Sequence, residues 1–386
     1  MADSLAEQKV RHRFIDLYRT AVILLMLEGH VVRAFLSVDL QQSRWFQLHE
    51  FLHGLSAPAF LFGAGLTFVI STRNRWEEYH HWGAPLARRV RRLVVVLLLG
   101  LALHLPFYSI RKIILDATTS DYLVLFQSDV LACIGIGLLA LHGILFFFKS
   151  EPKFYALVLA AVIGVCLLTP IVWEQDVYGG LSVPIAQLLN GNSGSFFPLF
   201  PYVGFLFAGV LVSWEYLVAV RHARQSRFML QLALAGAACI AGGIIFDAIP
   251  VRLYRDYDFW ITSPNYFLIR VGMLMLLASA MWYVSRFTEG APAYLTVMGR
   301  ESLAVYVAHL LVLYGSAMNP ELNLQVQLGL GKTLGESILI AIGLSAAMFV
   351  FAQAWHTMKR DHANTLRIIQ LAGSAVFVYF LFTRDF

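Results

Sequence analysis

The sequence predicts an all-α fold, a polytopic bundle of membrane helices. Three observations carry this expectation. Of the 386 residues, 59% are hydrophobic and only 14% charged, whereas a soluble domain carries about 25% charged residues. The mean hydropathy is +0.67. Apolar runs of about 20 residues, each long enough to cross a bilayer as a helix, recur along the whole chain. No linker separates two bodies, so 1–386 reads as a single domain in which residues 1–13 are a polar cytoplasmic tail.

The runs fall at roughly 14–37, 51–72, 90–109, 127–148, 154–173, 198–220, 228–249, 264–286, 301–319, 334–356 and 366–383, which makes about eleven transmembrane helices. Cytoplasmic loops carry the excess of Lys and Arg. Placing the N-terminus in the cytoplasm puts Lys9, Arg11, Arg13, the Arg-rich stretch 73–92, Lys149, Lys153, Arg221, Arg224, Arg227, Lys359 and Arg360 on the inner side. It leaves few cations outside, among them Arg44, Arg111, Lys112, Arg252 and Arg255. The C-terminus then lies outside. The sequence pI of about 9.1 records this topology and does not imply a nucleic-acid partner. Residues 1–13 are polar and contain acids, so no signal peptide is expected before the first span. Cys133, Cys166 and Cys239 lie in apolar runs and read as small buried hydrophobes. No metal-ligand spacing, dinucleotide loop or GxSxG motif is present, so no metal is expected.

The first helix, RFIDLYRTAVILLMLEGHVVR over 13–33, is the most informative stretch. At about 100° per residue, with His30 at zero, Arg19 falls near −20°, Asp16 near +40° and Arg33 near −60°. These four share one stripe, while Glu28 points roughly the opposite way, about 160° round. Ionisable groups within a membrane helix are costly and mark a site or pathway facing the bundle interior. The plainer reading of Asp16 and Arg19 is an ion pair at the headgroups.

Along the rest of the chain, the stretch 73–92 ends in RRVRR. It reads either as a surface attracted to anionic lipid or as a phosphate-binding face for a donor such as coenzyme A, with Arg88, Arg89 and Arg92 supplying guanidinium forks. The loop 174–197 has neither Lys nor Arg and is rich in Gly, Asn and Ser. It reads as a lid or as an ordinary surface loop. Rise per residue places His30 towards the outer face, about 24 Å from Phe14. His49, Glu50 and His53 open the second span from outside, and His104 ends the third. Asp129 opens the fourth, Asp247 ends the seventh with Asp256 just beyond it, Arg270 sits one to two turns into the eighth, and His309 lies mid-membrane in the ninth with Ser302 and Tyr306 nearby. The polar groups gather in the outer half, as a cavity opening outwards would require. His53, His104 and His142 also fit as interior histidines with satisfied hydrogen bonds, and Asp247 with Arg270 as a structural ion pair.

A neutral imidazole is the usual general base near neutral pH. Acyl transfer to a hydroxyl or amine needs such a base, and a cation where the oxyanion develops. His30 with Arg33 or Arg270 meets both needs. The competing class is a transporter of a glycan, lipid or anion, since buried His, Asp and Arg also serve proton relays. No internal repeat of the kind transporters show is visible.

Taken together, Arg13, Asp16, Arg19, Met26 and His30 resemble the first-helix signature of the transmembrane acyltransferase superfamily. The resemblance is to the bacterial relatives of heparan-α-glucosaminide N-acetyltransferase. APAFLFGAGLTF at 57–68, SDVLACIGIGLL at 128–139, FPLFPYVGFLFAGV at 197–210 and GRESLAVYVAHLLVLYG at 299–315 follow in the same order. The resemblance implies a multi-pass enzyme of a cell membrane, the bacterial inner membrane foremost. It would move an acyl group, acetyl from acetyl-coenzyme A foremost, onto a sugar or glycan hydroxyl or amine at the outer side. His30 would be catalytic, and Arg19 with the Arg-x-x-Arg of Arg89 and Arg92 would match family arginines on the donor side, alongside Asp16 and Arg88. The expected partners are an acyl-coenzyme A, a glycan acceptor and membrane lipid; oligomeric state stays open, a homodimer included. The chain departs from the pattern at Thr20 and Glu28. In the eukaryotic relative the histidine assigned to catalysis lies in the first outer loop, which keeps His49 and His53 beside His30, with His309 a further candidate.

Overall fold

A computed structural model describes residues 12–175, 177–249, 253–255, 257–288, 290–316 and 320–384. Lys9, Arg11, Arg252 and Asp256 of the charge distribution above lie outside them. Among the described residues the fold is all-α; the one extended pairing is an isolated parallel bridge between Leu36 and Lys332. The main helices in chain order are α1 (Arg13–Phe35), α2 (Arg44–His53), α3 (Ser56–Thr72), α4 (Ala84–Leu103), α5 (Val130–Phe147), α6 (Glu151–Glu174), α7 (Leu199–Arg221), α8 (Gln225–Ala248), α9 (Pro264–Phe287), α10 (Ser302–Leu313), α11 (Leu334–Asp361) and α12 (Ala363–Thr383).

Each apolar stretch expected from sequence coincides with one of these helices. Among the described residues, eight helical segments are long and apolar enough to cross a membrane. The segment Ala293–Arg300 with α10, bent by 69°, makes a ninth if counted as one span. The two remaining stretches, α1 and α4, are as long but carry more charge: Asp16, Arg19, Glu28 and Arg33 on α1, and the RRVRR run on α4.

That run differs from its reading as a loop. A 3-10 turn covers Arg73–Tyr79, and α4 begins at Ala84, so Arg88 to Arg92 lie within its first three turns. Gly83 is extended and Pro85 sits in the first turn, where a missing N–H costs nothing and φ is already helical. The second span also starts differently. α2 is a separate helix capped by the Ser43 hydroxyl, which accepts from the Phe46 N–H. It ends at Gly54, and α3 starts two residues later. The loop 174–197 is tied down: Gln187 and Asn190 are fully buried. Gln187 Nε2 donates to the carbonyls of Leu123 and Ser193, and Asn190 Nδ2 to that of Val172.

Two apolar clusters organise the bundle. One joins α3, α5, α6, α7 and α9 around Phe62, Phe154, Phe205 and Leu206. The other wraps α1, the 297–313 segment and α11 around Leu27, Val31, Val305 and Leu344. Lipid tails are as apolar as leucine, so close van der Waals fit, not burial alone, holds such helices together. α3 crosses α7 at Gly65 and Gly209. A β-carbon on Gly65 would sit 2.8 Å from the Val210 nitrogen, and one on Gly209 would run into the backbone of Phe62. Ser213 adds a hydrogen bond to the Leu66 carbonyl, 2.8 Å.

Candidate active site

Asp16, Arg19 and His30 of the α1 stripe face the bent segment from Ala293 to Tyr314, whereas Arg33 turns to α2. Asp16 is buried and lies 3.6 Å from Arg300 Nε. Thr20 accepts from the Gly299 N–H, 3.1 Å. A side chain at 299 would drive into α1; the glycine permits the approach. Arg19 donates to the Ser302 hydroxyl. Three turns further along α1, His30 Nδ1 lies 3.1 Å from His309 Nε2. The two rings are within 21° of parallel and their centroids are 5.2 Å apart.

The histidine pair has a defined polarity. His309 is fully buried, and its Nδ1–H donates to the Val305 carbonyl, 3.0 Å away. In the neutral ring this leaves Nε2 as an acceptor, so the proton in the shared bond belongs to His30 Nδ1. His30 Nε2 then keeps its lone pair. The His30 residue is partly buried.

Around His30 the remaining groups form two ion pairs and a wall of rings. Glu28, on the other side of α1, accepts from His49 Nε2 at 2.9 Å. Arg33 is paired with Glu50 and more than half exposed. His53 is buried, its ring centroid 5.5 Å from that of His30, and its Nδ1 has no hydrogen-bond partner among the described residues. Gly29 makes room for it, since a β-carbon there would overlap the His53 ring. Tyr314 closes the cluster, its ring 5.9 Å from His30 and its hydroxyl donating to the His30 carbonyl. Arg270 stands one step away: it donates to the Tyr266 hydroxyl at 3.1 Å, and a β-carbon on Gly54 would be 3.2 Å from its Nη2. Asp247 accepts from Asn265. Among the described residues no group of three or more His, Cys, Asp or Glu is placed to hold a metal ion.

Two clefts flank this cluster and share no lining residue. One encloses about 1060 Å³, part of it open to solvent. Arg19, Arg89, Arg92, Ser302 and Tyr306 line it, with apolar walls from α3, α4 and α5. Arg89 is anchored on the Tyr79 hydroxyl (3.2 Å) and the Ser71 carbonyl (3.1 Å). Arg88, one residue earlier, is exposed and lies outside this lining. Arg19 also borders a charged hollow with Asp16, Arg300, His356, Lys359 and Arg360. The other cleft encloses about 790 Å³, also open to solvent, and is lined by His104, Tyr314, Ser316, Asn323 and Gln325 among others. Tyr306, which lines the first cleft, packs edge-on against His309 at 5.6 Å. The order along the bundle is therefore arginine cleft, Tyr306, His309, His30, Tyr314, polar cleft.

Of the residues singled out from sequence, His30, His53 and His309 come together. Asp16 and Arg19 stand at the arginine cleft or the hollow beside it, with Arg89 and Arg92 opposite. Arg33 stands beside the histidines, paired with Glu50, whereas Arg270 lies a step away against Tyr266. Sequence reasoning missed Tyr314 and the Glu28 to His49 pair; Glu28 was visible as a lone acid facing away from the stripe.

A comparison with curated proteins finds no match. A protein-family comparison does: the family described as heparan-alpha-glucosaminide N-acetyltransferase, catalytic, matches residues 11–243, which include α1, both histidines of α2 and the arginines of α4. With most of the chain matched in this way, the protein belongs to the heparan-alpha-glucosaminide N-acetyltransferase catalytic family and is a membrane enzyme of the acyltransferase type.

Proposed function

We propose that the protein transfers an acetyl group from acetyl-coenzyme A to a sugar hydroxyl or amine across the membrane, with the N-terminus cytoplasmic and eleven spans. The observation that carries this is the polarised pair, in which His309 accepts from His30 Nδ1 and leaves the His30 Nε2 lone pair unshared with it, while the ring neighbours Tyr306 and Tyr314 each line a cleft. The donor lies in the arginine cleft, its phosphates on Arg89, Arg92 and Arg19 and its thioester towards Tyr306. The acceptor enters from the outer side through the polar cleft. His30 Nε2 takes the proton as the acceptor oxygen or nitrogen attacks the thioester carbonyl carbon. A guanidinium, Arg270 or Arg33, faces the oxyanion. The C–S bond then breaks, and the departing thiolate takes the proton back. Family membership favours this over the transporter weighed from sequence. His53, buried beside His30 with a nitrogen that has no hydrogen-bond partner among the described residues, is the second candidate for the base.

The test is thermal unfolding of detergent-purified protein with acetyl-coenzyme A, coenzyme A and ATP. A ligand that binds only the folded state raises the melting temperature, so acetyl-coenzyme A must raise it and ATP must do less. No shift with any acyl-coenzyme A overturns the donor assignment. His30→Ala is expected to keep that shift and lose transfer by about 10²-fold or more. If His53→Ala abolishes turnover while His30→Ala leaves it near wild type, the base is His53.

A further inference from the structure

The arginine cleft contains a histidine that the chemistry above does not use. His142, on α5, is only 4% exposed and lines the cleft with Arg89 and Arg92. Its Nδ1–H donates to the Leu138 carbonyl, 2.8 Å away, one turn back on its own helix. Its Nε2 is buried and has no hydrogen-bond partner among the described residues. The ring is held in place edge-on to Phe68 (5.0 Å) and Tyr79 (5.7 Å). A buried polar atom without a partner costs about 1–3 kcal/mol, so an orphan acceptor in a rigid ring beside a cleft calls for a donor from the occupant.

The other polar groups of this wall point to the same kind of occupant. Thr67 and Ser71 also line the cleft, and both hydroxyls spend their protons on carbonyls of α3, at 2.8 and 3.0 Å. They too present oxygen lone pairs. The cleft thus has guanidinium donors at one part of its lining and acceptors among apolar walls elsewhere. That pattern suits a ligand with an anionic head and an arm carrying N–H groups. An amide N–H entering an apolar cleft loses its water and needs an acceptor there.

We infer that His142 Nε2 accepts a hydrogen bond from an amide N–H of the donor's arm, between its phosphates and its sulfur, which makes His142 a residue that selects amide-armed donors over bare nucleotides. This rests on the donor reading above. The test is isothermal titration of the full-length purified protein with coenzyme A and with adenosine 3′,5′-bisphosphate, which has the anionic head and no arm. His142→Phe keeps the aromatic packing and removes the acceptor. It is expected to weaken coenzyme A about 5- to 10-fold, the value of one hydrogen bond, and to leave the bisphosphate unchanged. His142→Gln, which restores an acceptor, is expected to bind coenzyme A within about 2-fold of wild type on the same scale; His142→Leu repeats the Phe test with a smaller side chain. Equal coenzyme A affinity in wild type and both apolar variants overturns the inference, as does an equal loss for both ligands, or a Gln variant as weak as Phe. Wild-type protein that binds neither ligand overturns the donor reading itself, and the role of His142 with it.

Discussion

His309 touches no opening of its own, yet it sets which nitrogen of His30 is bare. Replacing it with Leu removes the acceptor and frees the His30 ring to turn. Steady-state kinetics of His309→Leu should show kcat lower by about 10²-fold, the scale of a general-base contribution, with the KM for donor within about 2-fold, because the arginine cleft is untouched. A parallel loss of donor binding would contradict the positioning role. At this scale the sequence was half legible. The 100° register alone put Asp16, Arg19 and His30 on one face, because that relation is local to a single helix. The contact between His30 and His309 spans 279 positions, and no periodicity encodes which face of which helix a stripe will meet. The same holds for Arg33, which shares the stripe by angle but reaches Glu50 on α2. It holds too for Arg88 and Arg89, adjacent in sequence and divided by the turn of α4.

Among the elements, the crossing of α3 and α7 is the tightest dependency. Both helices approach through glycine, and a β-carbon at 209 would meet the Phe62 backbone, which cannot swing aside as a side chain would. Gly209→Ala should destabilise the protein by about 3 kcal/mol or more, at or above the upper range for overpacking. Gly164→Ala on α6, where a β-carbon meets nothing within 4 Å, should be neutral or stabilising by up to about 1 kcal/mol. Thermal unfolding in detergent reads both; equal midpoints for the two variants would show that the crossing has slack. The helices themselves were legible, since runs of about 20 apolar residues admit little else. Their ends were less so. Pro85 and Gly83 start α4 earlier than hydropathy alone suggests, and Ser43 caps a helix that the apolar pattern merged into the next span.

For the whole molecule, the decisive arrangement is that both clefts stop short of each other. Tyr306 and His309 are buried at the point where they would meet. Removing the tyrosine ring in Tyr306→Ala should thin the barrier between the two spaces to the histidine pair. Proteoliposomes carrying a pH-sensitive dye should hold a proton gradient with wild-type protein and lose it several-fold faster with the variant; equal rates would mean that other side chains form the barrier.

Any protein that admits a water-soluble reagent from one compartment and a second reagent from the other risks short-circuiting the cell that makes it. On the proposed reaction, His30, His309 and Tyr306 double as the insulation. If those groups pass an acyl unit over, they also hold back ions, and widening the chamber for a bulkier acyl unit would wager the energised state of the membrane.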